Sequence, residues 1–482
     1  DDHLTGREEG DFWGLDIGGT NLRLVRYRVA KGEAPVRLPL TGDACDGEGV
    51  YKAMIPPAIK TASGPELFAW MAACCVSAGV GSDDAIGFCF SFPYLQTGLN
   101  RGFLLYWTKE FTNSGVGLDE LDGSETADAL ARREVASLLE SAMRARGLGA
   151  SVTAVINDTV GTLMSGLRSD DDTVIGLILG TGTNACYVES KANIPKLPSW
   201  VEPSGDAVVC MEWGGFSSSR DVAVAPSGAE RLLPLTPFDI AMLNETDKAG
   251  RQVFEKLISG KYLGAIARRA IVQLHRHGEL FQEAGEDAAM TRLLAPLGST
   301  GAQSPSEADE EDSHGPFSTR MLFDCVKDAS SSSSATRSVL RRLGLPSVSD
   351  HDVYIVQEVC SLVARRAARL VGMALSSVLR HTGRHESARE DSPKPAVVAV
   401  DGSVFSKNHD FWVASGSEGF KSWVVEAMYD LGVRAELSAI ENASFEGAAV
   451  VAAIAGRRVA EGKTMQSVAE AAAECLRERS TA

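Results

Sequence analysis

The chain has 482 residues, with 64 Asp and Glu against 47 Lys and Arg, for a formal charge of −17. That balance excludes nucleic acid and anionic membrane surface as main partners, because both demand clustered cations, but a small phosphate-bearing ligand needs only backbone amides and one or two positive groups. The length suits more than one core, and with 44% hydrophobic residues the chain has no run of about 18 apolar residues that would span a bilayer.

In chain order, residues 11–29 read as strand, tight Gly-Gly-Thr turn and strand. Residues 64–79 read as a helix and 85–92 as a buried strand. Residues 126–146 read as an amphipathic helix with Leu130, Val135, Leu138, Leu139 and Met143 on one face. The apolar strand from 151 ends in the polar pair Asn157 and Asp158, and a helix follows. Residues 173–180 form a strand running into Thr181-Gly182-Thr183-Asn184, with another strand after it. A strand, Gly/Thr turn, Asn and strand thus occur twice, at 14–25 and 176–188, as expected of two related halves or of a short chance match. Residues 352–381 read as a long helix with Val356, Val359, Val363, Leu370, Ala374 and Val378 in one stripe. Residues 395–404 form a strand ending in Gly402-Ser403, and 444–457 a tightly packed helix start. Three polar stretches, 299–315, 328–338 and 383–395, read as inserted solvated loops.

Nine scattered cysteines without a CxxC predict buried free thiols in a reducing compartment, with the cytoplasm as default. No signal peptide shows, and a targeting segment removed ahead of Asp1 is compatible with the sequence. The eight histidines are dispersed and read as loop and surface residues rather than metal ligands.

Several short segments carry chemistry. In Asp16-Ile17-Gly18-Gly19-Thr20-Asn21 two glycines let backbone amides approach an anion, and Asp16 could hold water on Mg²⁺; alone, the segment is equally a hairpin turn. Gly180 to Ala185 satisfies G-x-G-x-x-A, but strand rather than helix follows, so it reads as a phosphate turn and not a dinucleotide fingerprint. Asp158, between strand and helix, is placed to accept a hydroxyl proton, although by itself it fits a helix N-cap better. Ser91, Thr108 and Lys109 supply hydroxyls and a cation for a phosphoryl group. Glu212, beside Trp213 and a glycine pair, and Glu255, in a helical stretch, offer carboxylates that each accept two sugar hydroxyls.

In combination these segments resemble the hexokinase family from about residue 11 to 460: LDIGGTNLR, FSFPYLQTGLNRGFLLYWTKEF, VINDTVGT, GLILGTGTNACYVE, MEWGGF, FEKLISGKYLG and VDGSVF stand in the family's order. The resemblance implies an α/β, two-domain ribonuclease H-like (actin-like ATPase) fold with duplicated βββαβα cores and a sugar cleft between domains. It implies a small domain of 10–156 plus 446–482 and a large domain of 157–445. The implied reaction transfers the γ-phosphoryl of ATP, with Mg²⁺, to the 6-hydroxyl of glucose or a related hexose such as fructose or mannose, the first step of glycolysis. Ser91, Thr108, Lys109, Asn157, Asp158, Asn184, Glu212 and Glu255 would line the sugar, with Asp158 as base and Lys109 beside it. Asp16, Gly19, Thr20, Asn21, Arg23, Thr181, Thr319, Gly402, Ser403 and Ser444 would surround the nucleotide, with Asp16 holding the metal through water. The chain departs from the family's pattern at 442–447, where Phe445 and Glu446 replace a Gly and a Lys beside the nucleotide, and at Phe323, where a serine is common. These departures motivate two alternatives, a sugar sensor without turnover and an actin- or chaperone-type ATPase.

Overall fold

Alternation along the first strand sets the layout of the first sheet. The computed structural model describes residues 10–29, 35–40, 49–109, 111–121, 130, 132–197, 204–217, 233–246, 250–282, 316–345, 347–386, 394–408, 419–440 and 442–460. Strand β1 (Gly10–Ile17) buries Trp13, Leu15 and Ile17 on one face, which places Gly14 and Asp16 on the other. Strand β2 (Asn21–Val29) runs antiparallel to it, with Asp16 opposite Arg23, and β3 (Val36–Leu38) and β4 (Val50–Met54) both pair with β2. Helix α1 (Gly64–Ala78) starts at a capping box of Ser63 and Glu66. It leads to β5 (Ala85–Phe90), parallel to β1. A hairpin of β6 (Tyr94–Gly98) and β7 (Arg101–Leu104) precedes helix α2 (Val135–Ala145), and β8 (Ser151–Ile156) completes the order β3-β2-β1-β5-β8. Helices α1 and α2 pack on the Trp13–Leu15 face.

Helix α2 begins at Val135, later than the periodicity predicts. Buried Glu134 caps it by accepting the amides of Ala136 and Ser137, and also accepts the amide of Gly102. Of the expected stripe, Leu130 instead joins Phe103 and Leu118 in a separate small cluster.

After α3 (Asp158–Ser169) the motif repeats. Strands β9 (Thr173–Leu179) and β10 (Thr183–Ser190) form an antiparallel pair, with β11 (Asp206–Cys210) at the sheet edge. Helices α4 (Pro237–Glu245), α5 (Val253–Ile258), α6 (Leu263–Arg276), α7 (Thr319–Val326), α8 (Ser334–Arg342) and α9 (Asp350–His381) follow. Strand β12 (Ala396–Asp401) is parallel to β9, and after α10 (Phe420–Asp430) strand β13 (Ala435–Ala439) is parallel to β12. The order β11-β10-β9-β12-β13 repeats that of the first sheet, with the same strand senses about its central strand.

In α9 the expected stripe is core: Val356 and Leu370 are buried, and Val359, Val363, Ala374 and Val378 pack partly buried against the same cluster. The 328–338 segment is not the loop its serine run suggests. Its second half is the start of α8, and Asp328 binds the amide and hydroxyl of buried Thr336 at 2.7 and 2.9 Å. Residues 299–315 and 387–393 of the other expected inserts lie outside the described residues.

The chain closes with α11 (Ala443–Ala460), which lies backbone to backbone on three glycines. A side chain at Gly14 would overlap the Phe445 carbonyl, one at Gly87 the Ala448 carbonyl, and one at Gly161 the Ser444 backbone. Ser165 Oγ of α3 also donates to the Ala443 carbonyl at 3.0 Å. The described residues through 171, in 188–209 and from 442 onward therefore form one compact unit, and those in 172–187 and 210–440 a second. Helix α3 and the start of α11 belong to the same unit, held together by the Gly161 contact.

Gly87→Ala is expected to lower unfolding free energy by about 1–3 kcal/mol through overpacking. Gly18→Ala, whose Cβ would meet nothing nearer than 3.7 Å, should change it far less. Urea unfolding of both variants checks this.

Candidate active site

The carboxyl ends of the three parallel strands in the first unit stand in register, Asp16 opposite Cys89 and Cys89 opposite Ile156. Ser91, Asn157 and Asp158 therefore emerge at the edge where open α/β sheets hold ligands. Asp16 is 4% exposed. It accepts the Ser91 hydroxyl at 3.4 Å and pairs with the Arg23 guanidinium at 3.6 Å. Burial pushes its carboxyl above the ordinary value of 3.8; Arg23 opposes this, and the nearby Asp158 charge adds to it. Between the strands, the Cys89 thiol lies 3.7 Å from Ser91 Oγ and is held well above its usual range by burial and by Asp16.

The cap role falls to Asn157, not Asp158. Asn157 Oδ1 accepts the Thr159 amide at 3.0 Å and its hydroxyl at 2.7 Å. Asp158 is the first residue of α3, half-buried, and one of its oxygens accepts the Thr159 amide at 2.9 Å. Its carboxylate is thus fixed by a rigid strand end and the first turn of a helix.

The turn after β1 is closed by the Gly18 amide donating to the Asn21 carbonyl at 3.0 Å, with Thr20 tied to Ile55 at 2.8 Å. The Lys109 stem lies against Gly19, where an added Cβ would be 3.4 Å from Lys109 Cδ. Lys109 Nζ donates to the Ser91 carbonyl at 2.6 Å and sits over the Phe92 ring. Its backbone has φ 56°, a left-handed conformation that costs about 1–3 kcal/mol for a non-glycine residue. The loop carrying Thr108 and Lys109 is held by aromatic contacts. Trp107 stacks on Phe111 at 5.5 Å and meets Phe92 edge-on at 4.9 Å, and its indole donates to the Asn113 carbonyl at 2.6 Å. Buried Asn113 in turn donates to Ile59 and Ala62.

The second unit carries its own cluster. The β9–β10 turn is closed by the Gly180 amide on the Gly182 carbonyl at 3.0 Å. The amides of Gly260 and Lys261 donate to the carbonyls of Gly180 and Thr181. Gly402, with φ 116°, abuts this turn; a Cβ there would lie 2.5 Å from the Leu179 carbonyl carbon. Thr181, Gly402 and Ser403 therefore share one end of the sheet. The Glu255 carboxylate lies across the same turn and accepts the Thr183 amide at 3.1 Å. Asn184 Nδ2 donates to Glu212 Oε1 at 2.8 Å, and the neighbouring Trp213 indole anchors on Thr183 Oγ1 at 3.0 Å. Glu212 and Gln252 both hold left-handed backbones, φ 49° and 53°.

Two expected nucleotide residues serve packing as well. Thr319 Oγ1 accepts the Gly264 amide at 3.0 Å, joining α7 to the start of α6. Ser444 lies in the first turn of α11, its backbone against Gly161. Phe323 is core, packed on Phe420. Sequence reading missed Cys89, Asn113 and Gln252; no spacing signal marks them, since each acts through residues distant in the chain.

Because burial raises the Asp16 carboxyl, the folded state binds its proton more tightly than the unfolded chain, so its contribution favours folding below about pH 3.8 and is lost as pH rises through the raised value. Asp16→Asn is expected to melt above wild type near neutral pH, with the stability advantage vanishing as pH falls into the carboxylate range. Thermal melts across that range check the sign.

Two family models, both described as hexokinase, match residues 1–167 and 174–454. Hexokinase-3 of Oryza sativa subsp. japonica is 32% identical, with 93% of this chain and 80% of that protein covered. Hexokinase-1 of the same organism is 35% identical, with 83% and 71% covered. A hexokinase of Schistosoma mansoni solved with glucose superposes with a TM-score of 0.69 at 28% identity, covering 93% of this chain and 86% of that one. The duplicated sheet order, the turns at their strand ends and these matches together place the chain in the hexokinase family, with its two-domain actin-like ATPase fold.

Proposed function

We propose that the protein is an ATP-dependent hexose 6-phosphotransferase acting on glucose or a related hexose. The observation that carries this reading is the cluster of Asp16, Ser91, Lys109 and Asp158 at the carboxyl ends of β1, β5 and β8. The glucose bound to the Schistosoma mansoni relative supports the substrate class.

Asp158 takes the proton of the attacking hydroxyl, its side chain oriented by the amide of Thr159. Lys109, held over Phe92, offers positive charge to the transferring phosphoryl group. The Asn184–Glu212 pair and Glu255 present acceptors and a donor suited to sugar hydroxyls. The turn at Gly18–Thr20 in the first unit presents backbone amides suited to phosphate oxygens, as does the turn at Gly180–Gly182 within the second, which Gly402 keeps clear of side chain. Asp16 fits a metal held through water: it is a buried carboxylate at a strand end, and among the described residues no group of three or more His, Cys, Asp or Glu forms a cage. Mg²⁺ there would neutralise phosphate charge.

The sensor alternative rests on the 442–447 loop. Phe445 is core and Glu446 pairs with Arg37 and Arg168, so both departures have a packing role, which supports the catalytic reading. A hexose panel with MgATP should give sugar-dependent ADP; its absence would favour the sensor, and sugar-independent hydrolysis the plain ATPase. Asp158→Ala should cut turnover at least ~10²-fold while glucose binding persists. Normal turnover in that variant would remove Asp158 as the base.

A further inference from the structure

Arg23 is the third residue of β2, directly opposite Asp16. Its guanidinium is 3.6 Å from the Asp16 carboxylate and 5.9 Å from the centre of the Phe445 ring, within the range of a cation–π contact. The Arg23 side chain is 39% exposed, so without restraint it would sample many rotamers. Phe445 is not free to move. Its backbone rests on Gly14, its ring packs with Val25, Tyr27, Val50 and Ala449, and the next residue, Glu446, is tied to Arg37 and Arg168.

We propose that Phe445 is a positioning residue that, together with Asp16, fixes the Arg23 guanidinium as a preoriented cation for the nucleotide phosphates. The proposal rests on the reading of Arg23 as a phosphate contact. Asp16 supplies the charge partner, and the Phe445 ring supplies a flat wall against the guanidinium. A planar cation held in this way loses less freedom when it binds an anion than a loose one does.

The test is a double-mutant cycle read by MgADP binding in calorimetry, with kinetics alongside. Phe445→Leu should weaken MgADP binding about 2- to 10-fold and raise KM for MgATP similarly, with glucose affinity within about twofold of wild type. Phe445→Tyr should restore binding. In an Arg23→Gln background, Phe445→Leu should have little further effect, because its contribution acts through the guanidinium. If Phe445→Leu does not fold, Phe445→Met, which conserves volume, replaces it in the cycle. Wild-type MgADP affinity in the folded variant, or an undiminished effect in the Arg23→Gln background, overturns the proposal, as does Arg23→Gln binding MgADP normally. Wild-type turnover with glucose is scored separately, so a failed kinase reading and a failed positioning role give different results.

Discussion

The first unit depends on a helix lying directly on backbone. Gly14, Gly87 and Gly161 carry no side chain where α11 crosses β1, β5 and α3, and the helix fills the space that ordinary residues would occupy. Native interiors are close-packed, so such a contact fixes position to within a few tenths of an ångström. The same face of the sheet that accepts α11 also bears Asp16 and Cys89 one step further along their strands. The contact that stabilises the sheet thereby sets the floor on which the candidate chemistry stands.

Each unit accepts local cost within its own cluster. Asp16 holds a carboxylate in a nearly dry setting with Arg23 as its ion-pair partner. Lys109 and Glu212 adopt backbones that favour glycine. Each cost is held in place by ordinary packing nearby, the Trp107–Phe92–Phe111 cluster for Lys109 and the Trp213–Thr183 bond for Glu212. Within each unit, a strained residue supported by a rigid surround is the usual arrangement of a preorganised centre.

Local chemistry in the sequence revealed the elements that local chemistry determines. The 11–29 hairpin, the strand into Asn157 and the long α9 each carry a period or a turn of their own. The repeated strand–turn–strand device pointed to two related halves, and the two sheets do repeat one strand order. What stayed hidden was set by distant partners. Glu134 starts α2 because it meets Gly102, Thr336 is buried because Asp328 caps it, and Glu446 is a clamp because Arg37 reaches it across 409 positions. Composition made the serine run look like a loop, an error that came from judging a side chain without its neighbour, and comparison with a family pattern marked Glu446 as a departure without showing its partners Arg37 and Arg168.

That long reach has a consequence for how the chain is made. The sheet built from β1, β5 and β8 has a face on which Cys89, Ala154 and Ile156 meet Ala448, Val451 and Ala455 of α11, beside Val160 and Met164 of α3. During synthesis the part of that face under α11 lacks its cover while the second unit is translated, since α11 emerges after it. The second unit can close on its own contacts in the interval, and the first cannot. The newborn chain therefore passes through a state in which the first sheet still lacks its closing helix, and this is the stage at which a holding chaperone would find it.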